Sequence, residues 1–168
     1  MDYICSYFDT QGFYIDKTYH PVEAAIIGDG QLIHLKVAKK CDCSPTSSEL
    51  CQIKFLSNHH HGLDINRDGV SKEQLKDMMV RCYRSCRTSS KFMVGCRSKE
   101  SEELLDWMGI PFVNVNHLYG ATFNIIDTKR KPCNFHSNNS VNYKCSLSIV
   151  QDLSAYMKKY KKGIDVID

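Results

Sequence analysis

The chain is 168 residues long, with 42% hydrophobic and 24% charged residues and a formal net charge of +3 at pH 7. Those proportions belong to an ordinary globular protein and exclude a disordered chain, and no apolar run approaches the roughly 18–20 residues that span a bilayer. The mild charge excludes a strong global field for nucleic acid, and the length suits one domain, 1–168, around a single core.

There are nine cysteines, an odd number, and no basic segment precedes an apolar stretch at the N-terminus. Reduced thiols or metal ligands are therefore expected rather than a disulfide framework, and with them an intracellular setting, cytoplasmic or nuclear. Residues 3 to 8 read as an apolar strand that delivers Asp9 at its end, and Gly12 is expected to turn the chain sharply. Residues 22 to 27 and 31 to 37 are the next strands, joined at Gly28-Asp29-Gly30, so the first three strands form an antiparallel meander. Glu23 is a carboxylate inside an apolar strand. Burying it unpaired would be expensive, so it either faces solvent from an edge strand or has a partner elsewhere.

Residues 38 to 48 form a polar loop. Its Cys41 and Cys43 stand closer together than a usual zinc pair and read as unpaired thiols. A helix over 48 to 56 is expected to bury Leu50 and Ile53, with Phe55 or Leu56 beside them. His59, His60 and His61 are chain neighbours that project in different directions, and they read as a solvated loop. Asp64, Asn66, Asp68 and Gly69 copy the start of an EF-hand loop, but position twelve is Leu75 instead of the bidentate Glu. A turn that caps the next helix accounts for them better. That helix opens at Ser71, with Gln74 completing a capping box. Its buried stripe is Leu75, Met78, Met79, Cys82 and Cys86, which leaves Arg81, Arg84 and Arg87 off the stripe. A strand over 91 to 95, a helix over 98 to 108 stopped by Gly109 and Pro111, and a strand over 112 to 115 imply a parallel crossover. A short helical turn and loop follow, with Lys129-Arg130-Lys131 as the charged cluster. The last helix, 145 to 162, presents Ile149, Val150, Leu153, Tyr156, Met157 and Tyr160 on one stripe and ends in lysines that the helix dipole favours. The expected class is α/β: a mixed sheet of three antiparallel strands, then parallel crossover strands, flanked by helices.

Cys133-x2-His136 puts a thiolate and an imidazole within reach of one tetrahedral ion, and Cys145 can supply a third ligand. The fourth position then belongs either to water, as in a catalytic zinc, or to a distant residue, as in a structural one. The order of elements and the string Asp9-Thr10-Gln11-Gly12 resemble DEDDh exonucleases of the RNase H-like fold, with Gln11 where the second carboxylate stands. Within that superfamily the chain resembles the Maelstrom domain, a degenerate branch marked by a Glu-Cys-His-Cys zinc tetrad. His20-Pro21-Val22-Glu23-Ala24 and Cys133-x2-His136-x8-Cys145 carry the likeness. It implies zinc held by Glu23, Cys133, His136 and Cys145, and a domain that binds single-stranded RNA or a protein of a small-RNA silencing pathway.

Two-metal hydrolysis needs several carboxylates around ions about 3.5–4 Å apart. Of the exonuclease motifs Asp9 survives, while Gln11, Ser101 and Val150 stand where carboxylates are needed, so the likeness implies a pseudoenzyme with Asp9 as a relic. Maelstrom-like domains are also linked to RNA cleavage that does not use the tetrad. A ribonuclease acting through Asp9, Asp64 and His59, His60 and His61 is therefore the alternative. A second resemblance, in Asp9-Thr10-Gln11-Gly12-Phe13 and Asn58-His59-His60, is to short proteins derived from mobile or viral elements, and it carries a third reading, an antagonist that works through protein contacts. If RNA binds, the expected basic face is Arg81, Arg84, Arg87, Lys91, Arg97 and Lys99, with the 129 to 131 cluster.

Overall fold

A computed structural model describes residues 3–38, 44–119, 133–136 and 144–164, with the side chains of 118–119 and 160–164 left aside. Cys41, Cys43 and the 129 to 131 cluster lie outside the described residues, as does the side chain of Tyr160.

Strand β1 (Ile4–Ile15) passes through Asp9 and Gly12 without turning. The expected turn at Gly12 is instead a shift of register between Gln11 and Gly12, a bulge that keeps the strand paired while accommodating one extra residue. The chain reverses at Asp16-Lys17, both at positive φ (48° and 60°), between the facing residues Ile15 and Thr18. A two-residue hairpin turn of this hand needs positive φ at both central positions, and Asp tolerates it better than most. Glu49 of the following helix fixes the turn by accepting from Asp16 N at 2.7 Å.

Strand β2 (Thr18–Gly28) returns along β1, and β3 (Gln31–Lys36) pairs with β2 across Asp29-Gly30. Helix α1 (Ser47–His59) starts from a capping box of Thr46 and Glu49. Helix α2 (Lys72–Cys86) starts from the expected box of Ser71 and Gln74. Strand β4 (Met93–Cys96) then lies parallel to β1. Helix α3 (Lys99–Met108) ends at Gly109 in the left-handed conformation, and β5 (Phe112–Asn114) lies parallel to β4. Val115, expected at the end of that strand, instead begins the short helix α4 (Val115–Tyr119), and α5 (Ser146–Ile164) closes the described chain. The sheet order is β3-β2-β1-β4-β5, which gives the expected α/β class with antiparallel and parallel halves. Among the described residues no helix is long and apolar enough to cross a membrane.

Side-chain alternation along β1 and β2 sorts the sheet into two faces. Phe8, Ala24 and Ile26 join Leu75, Met79, Leu104 and Leu105 in the core under α2 and α3. In the α2 stripe Tyr83 is buried where Met78 was expected, and Met78 is only half-buried. On the other side Leu153 and Met157 of α5 pack with Ile4 and Val115. A third cluster, Phe13, Ile15, Val22, Ile53 and Leu63, fills the far end of the hairpin. Only Ile53 of α1 is buried. Leu50 and Phe55 are exposed, against expectation, because α1 touches the hairpin with one narrow face.

Candidate metal centre and adjoining cleft

The strand alternation that puts Ala24 and Ile26 into one core turns Glu23 to the opposite face. There it is fully buried, in an interior strand. The solvent-facing edge position is therefore excluded, and its partners come from the end of the chain. Cys133, His136 and Cys145 converge on it so that one ligand atom from each of the four residues lies within 4.8 Å of every other. Glu23 Oε1 is 3.2 Å from His136 Nε2, and 3.7 Å from each of Cys133 Sγ and Cys145 Sγ. Those spacings match the edges, about 3.3–3.8 Å, of a tetrahedron of oxygen, nitrogen and sulfur ligands around one small divalent ion. The four residues are placed to hold a metal ion.

Two of the ligands, Glu23 and His136, are oriented by a neighbour, as working metal sites require. Glu23 Oε2 accepts from Ser146 N at 3.1 Å. The N-terminus of α5 thus holds one carboxylate oxygen and leaves the other for the ion, an arrangement that the helix dipole favours. His136 Nδ1 hydrogen-bonds the carbonyl of His61, which directs Nε2 inward. Burial alone would raise the Glu23 carboxyl, but hydrogen bonds from His136 and His34 hold it at about 2. Burial likewise opposes charge on His136, and its bonds to Cys145 and Glu23 overcome this and raise it to about 10. A hydrogen bond from Cys133 draws the Cys145 thiol down to about 4, against burial, while the Cys133 thiol is pushed up by the same bond and by burial. Thiols bind a divalent cation as thiolates, so loading the site would release thiol protons.

Three supporting residues escaped the sequence reading. His34 of β3 puts Nε2 2.7 Å from Glu23 Oε1 and 3.7 Å from Cys133 Sγ. Its ring stacks on Phe135, centroids 4.2 Å apart. Arg67 donates to the Phe135 carbonyl at 2.9 Å, which ties the Cys133-to-His136 loop to the body. His61 is buried, not solvated: Nδ1 accepts from Leu63 N at 3.1 Å and the ring meets Phe13 edge-on at 4.8 Å. Burial first, then nearby His60 and His136, push it down to about 4, so it is neutral packing. His34 was within reach of the sequence. With Asp29-Gly30 as a two-residue turn, the register sets His34 opposite Ala25, on the Glu23 face.

Beside this centre, β4 stops at Cys96 while β1 runs on past Tyr7, its last partner on that side. The gap is a cleft of about 310 Å³ whose floor is Asp9, Gln11 and Gly12 and whose walls include His60, Arg97 and Lys144. Gln11 Nε2 donates to Asp9 Oδ2 at 3.0 Å. Ser101 is buried and accepts from the Ser98 hydroxyl at 2.9 Å, and Val150 is core. No second cluster of three or more metal-ligating side chains occurs among the described residues. Of the other candidates, His60 reaches the cleft, His59 is exposed beside Phe55, and Asp64 closes a local turn by accepting from Asn66 N at 2.9 Å. The six basic residues fall into two groups. Arg81 and Arg84 lie on exposed positions of α2 and Arg87 caps its C-terminus, also exposed, with Lys91 just before β4; Arg97 and Lys99 lie just after it. The four-residue strand between Lys91 and Arg97 spans roughly 13 Å.

Burial raises Asp9 from 3.8 to about 7, Ser146 and Gln11 opposing, with Glu23 adding to the rise. A carboxyl raised in the folded state costs nothing below about pH 4, where both states are protonated. The cost grows as the pH climbs toward 7 and is complete above it. Asp9→Asn should therefore stabilise the protein by about 1–3 kcal/mol at pH 8 and by almost nothing at pH 4. Urea midpoints at the two pH values check this, and equal midpoints for variant and parent at pH 8 would refute it.

No family model, curated protein or solved structure matches this chain.

Proposed function

We propose that this chain is a catalytically degenerate RNase H-like domain, pinned by structural zinc at Glu23, Cys133, His136 and Cys145, that acts by binding single-stranded RNA. The mixed sheet, with parallel strands added beside the first strand of a meander, supports the fold reading. Zinc is favoured by the donor set: two sulfurs, one imidazole and one carboxylate in tetrahedral spacing suit that ion, and four protein ligands leave no open position for catalysis. When bound, the ion crosslinks β2 to the start of α5.

One observation carries the functional half. The cleft over Asp9 is lined by one further carboxylate, Glu100, together with the Gln11 amide and the cations Arg97 and Lys144, fewer acids than two-metal hydrolysis needs, so it suits a polyanion better than a pair of metal ions. The resemblance to the Maelstrom domain supplies small-RNA silencing as the setting, which is analogy. Asp9 and His60 share the cleft, and this is the observation that favours the ribonuclease alternative.

End-labelled single-stranded RNA, titrated with protein with and without magnesium, tests the reading. Binding without cleavage is expected, weakening with salt. The slope of log K against log salt should be about 2 in magnitude if the three cations Arg97, Lys99 and Lys144 engage, and about 4 if all six predicted basic residues do. Cleavage abolished by Asp9→Ala would favour the ribonuclease. Absence of RNA binding would favour a protein partner in the silencing pathway or the antagonist reading.

A further inference from the structure

We propose that the cleft over Asp9 is a single-nucleotide subsite, with the phosphate held by Arg97 and Lys144 and a sugar or base donor received by Asn116 Oδ1. For its biological ligand the inference rests on the RNA reading, but the geometry that carries it is local.

Two buried polar atoms at this cleft have no hydrogen-bond partner among the described residues, Arg97 Nε and Asn116 Oδ1. They are of opposite kind, one donor and one acceptor, and buried polar groups of this sort are ordinarily satisfied. Both are held in place by well-made contacts nearby. Asn116 Nδ2 donates to the Arg97 carbonyl at 3.1 Å and Asn114 Nδ2 to the same carbonyl at 3.3 Å. The backbone of Arg97 is thereby fixed, while its buried Nε is left without a partner among the described residues. Lys144 also lines the cleft, exposed, with its backbone anchored to the His60 carbonyl at 2.8 Å.

An anion alone would satisfy Arg97 and leave Asn116 Oδ1 bare. A neutral hydroxylated molecule would do the reverse. A nucleotide offers phosphate oxygens and hydroxyl or amino donors on one small body, and guanidinium is the side chain best shaped for phosphate. Two acids share the site. Asp9 is already engaged by the Gln11 amide and interacts with the charge of Arg97, and Glu100 lies in the first turn of α3; the cations Arg97 and Lys144 hold the phosphate end. The volume, about 310 Å³, is at the small end of the roughly 300–1,000 Å³ of ligand pockets and has room for one nucleotide, not for a duplex. The position also fits, beyond the carboxyl end of a parallel strand, where open α/β sheets place their ligands.

Titration of the full chain with uridine 5′-monophosphate and with uridine, followed by NMR shifts of Arg97 and Asn116, tests the proposal. Saturable binding of the monophosphate is expected, with uridine about 10-fold weaker or worse. Arg97→Gln and Lys144→Ala should each weaken the monophosphate about 10-fold with an unchanged unfolding midpoint; Lys144 is exposed, so its variant stays informative should the other fold poorly. Equal affinity for nucleotide and nucleoside, or variants that bind like the parent, would overturn the subsite. RNA that binds undiminished to both variants would also overturn it while leaving the RNA reading intact. Nucleotide binding by a protein that ignores RNA would leave the subsite standing and remove the RNA reading.

Discussion

Stripping metal from the purified protein with a chelator should lower its unfolding midpoint by about 8–16 °C, and Cys145→Ser should do the same without chelator. The size follows from linkage. An ion held about a thousandfold above its dissociation constant adds about 4 kcal/mol to stability, and each kcal/mol moves the midpoint of a chain this long by roughly 2–4 °C. The loss falls short of complete unfolding because three apolar clusters survive without the ion, unlike in a zinc finger. It is large because what remains is unfavourable. Glu23 and Cys145 stay buried, with His136 3.2 Å from the Glu23 carboxylate in place of an ion, and burying charge without full compensation is costly. Cys51→Ser is the control, since that thiol is exposed and distant from the cluster. Thermal scans with and without chelator read the effect, and a midpoint indifferent to chelator would contradict it.

Gly12→Ala should cost about 3–5 kcal/mol. A Cβ there would stand 2.2 Å from the His20 carbonyl oxygen and 2.9 Å from both Pro21 Cα and Tyr19 Cζ. Two of those three atoms are backbone of the paired strand, so relief requires prising β1 from β2 at the bulge. Because Glu23 is two residues beyond Pro21, the same distortion should weaken metal retention. Gly30→Ala gives the contrast. Nothing lies within 4 Å of its added methyl, though its φ of +70° carries the left-handed penalty, and about 1 kcal/mol is expected. Denaturant midpoints separate the two, and a Gly12→Ala protein within 1 kcal/mol of the parent would contradict the packing described.

Much of the fold could be read from residue patterns whose physics is local. The box of Ser71 and Gln74 placed α2, Gly109 ended α3, and the run of short strands gave the meander and the crossover. Three of the converging residues were legible in the spacing of Cys133, His136 and Cys145, and the resemblance to the Maelstrom domain implied Glu23 as the fourth. What stayed hidden depended on tertiary context. Gly12 carries the usual mark of a turn, yet its missing side chain serves a close approach between strands, while the real turn at Asp16-Lys17 contains no glycine. Three histidines in a row look solvated, but Gly62, at φ 62°, turns the chain so that His61 enters the core. Burial of Tyr83 in place of Met78 followed from its hydroxyl, which reaches the Phe92 carbonyl at 2.8 Å. Such a partner lets a large polar-tipped ring displace a thioether.

The central claim is that one zinc ion joins Glu23 to Cys133, His136 and Cys145 and holds the fold together. Native mass spectrometry of the purified protein tests it most directly. The account predicts one zinc per chain, lost in Cys133→Ser, with the unfolding midpoint lowered as it is by chelator. A parent protein that is folded, cooperative and free of metal would contradict it.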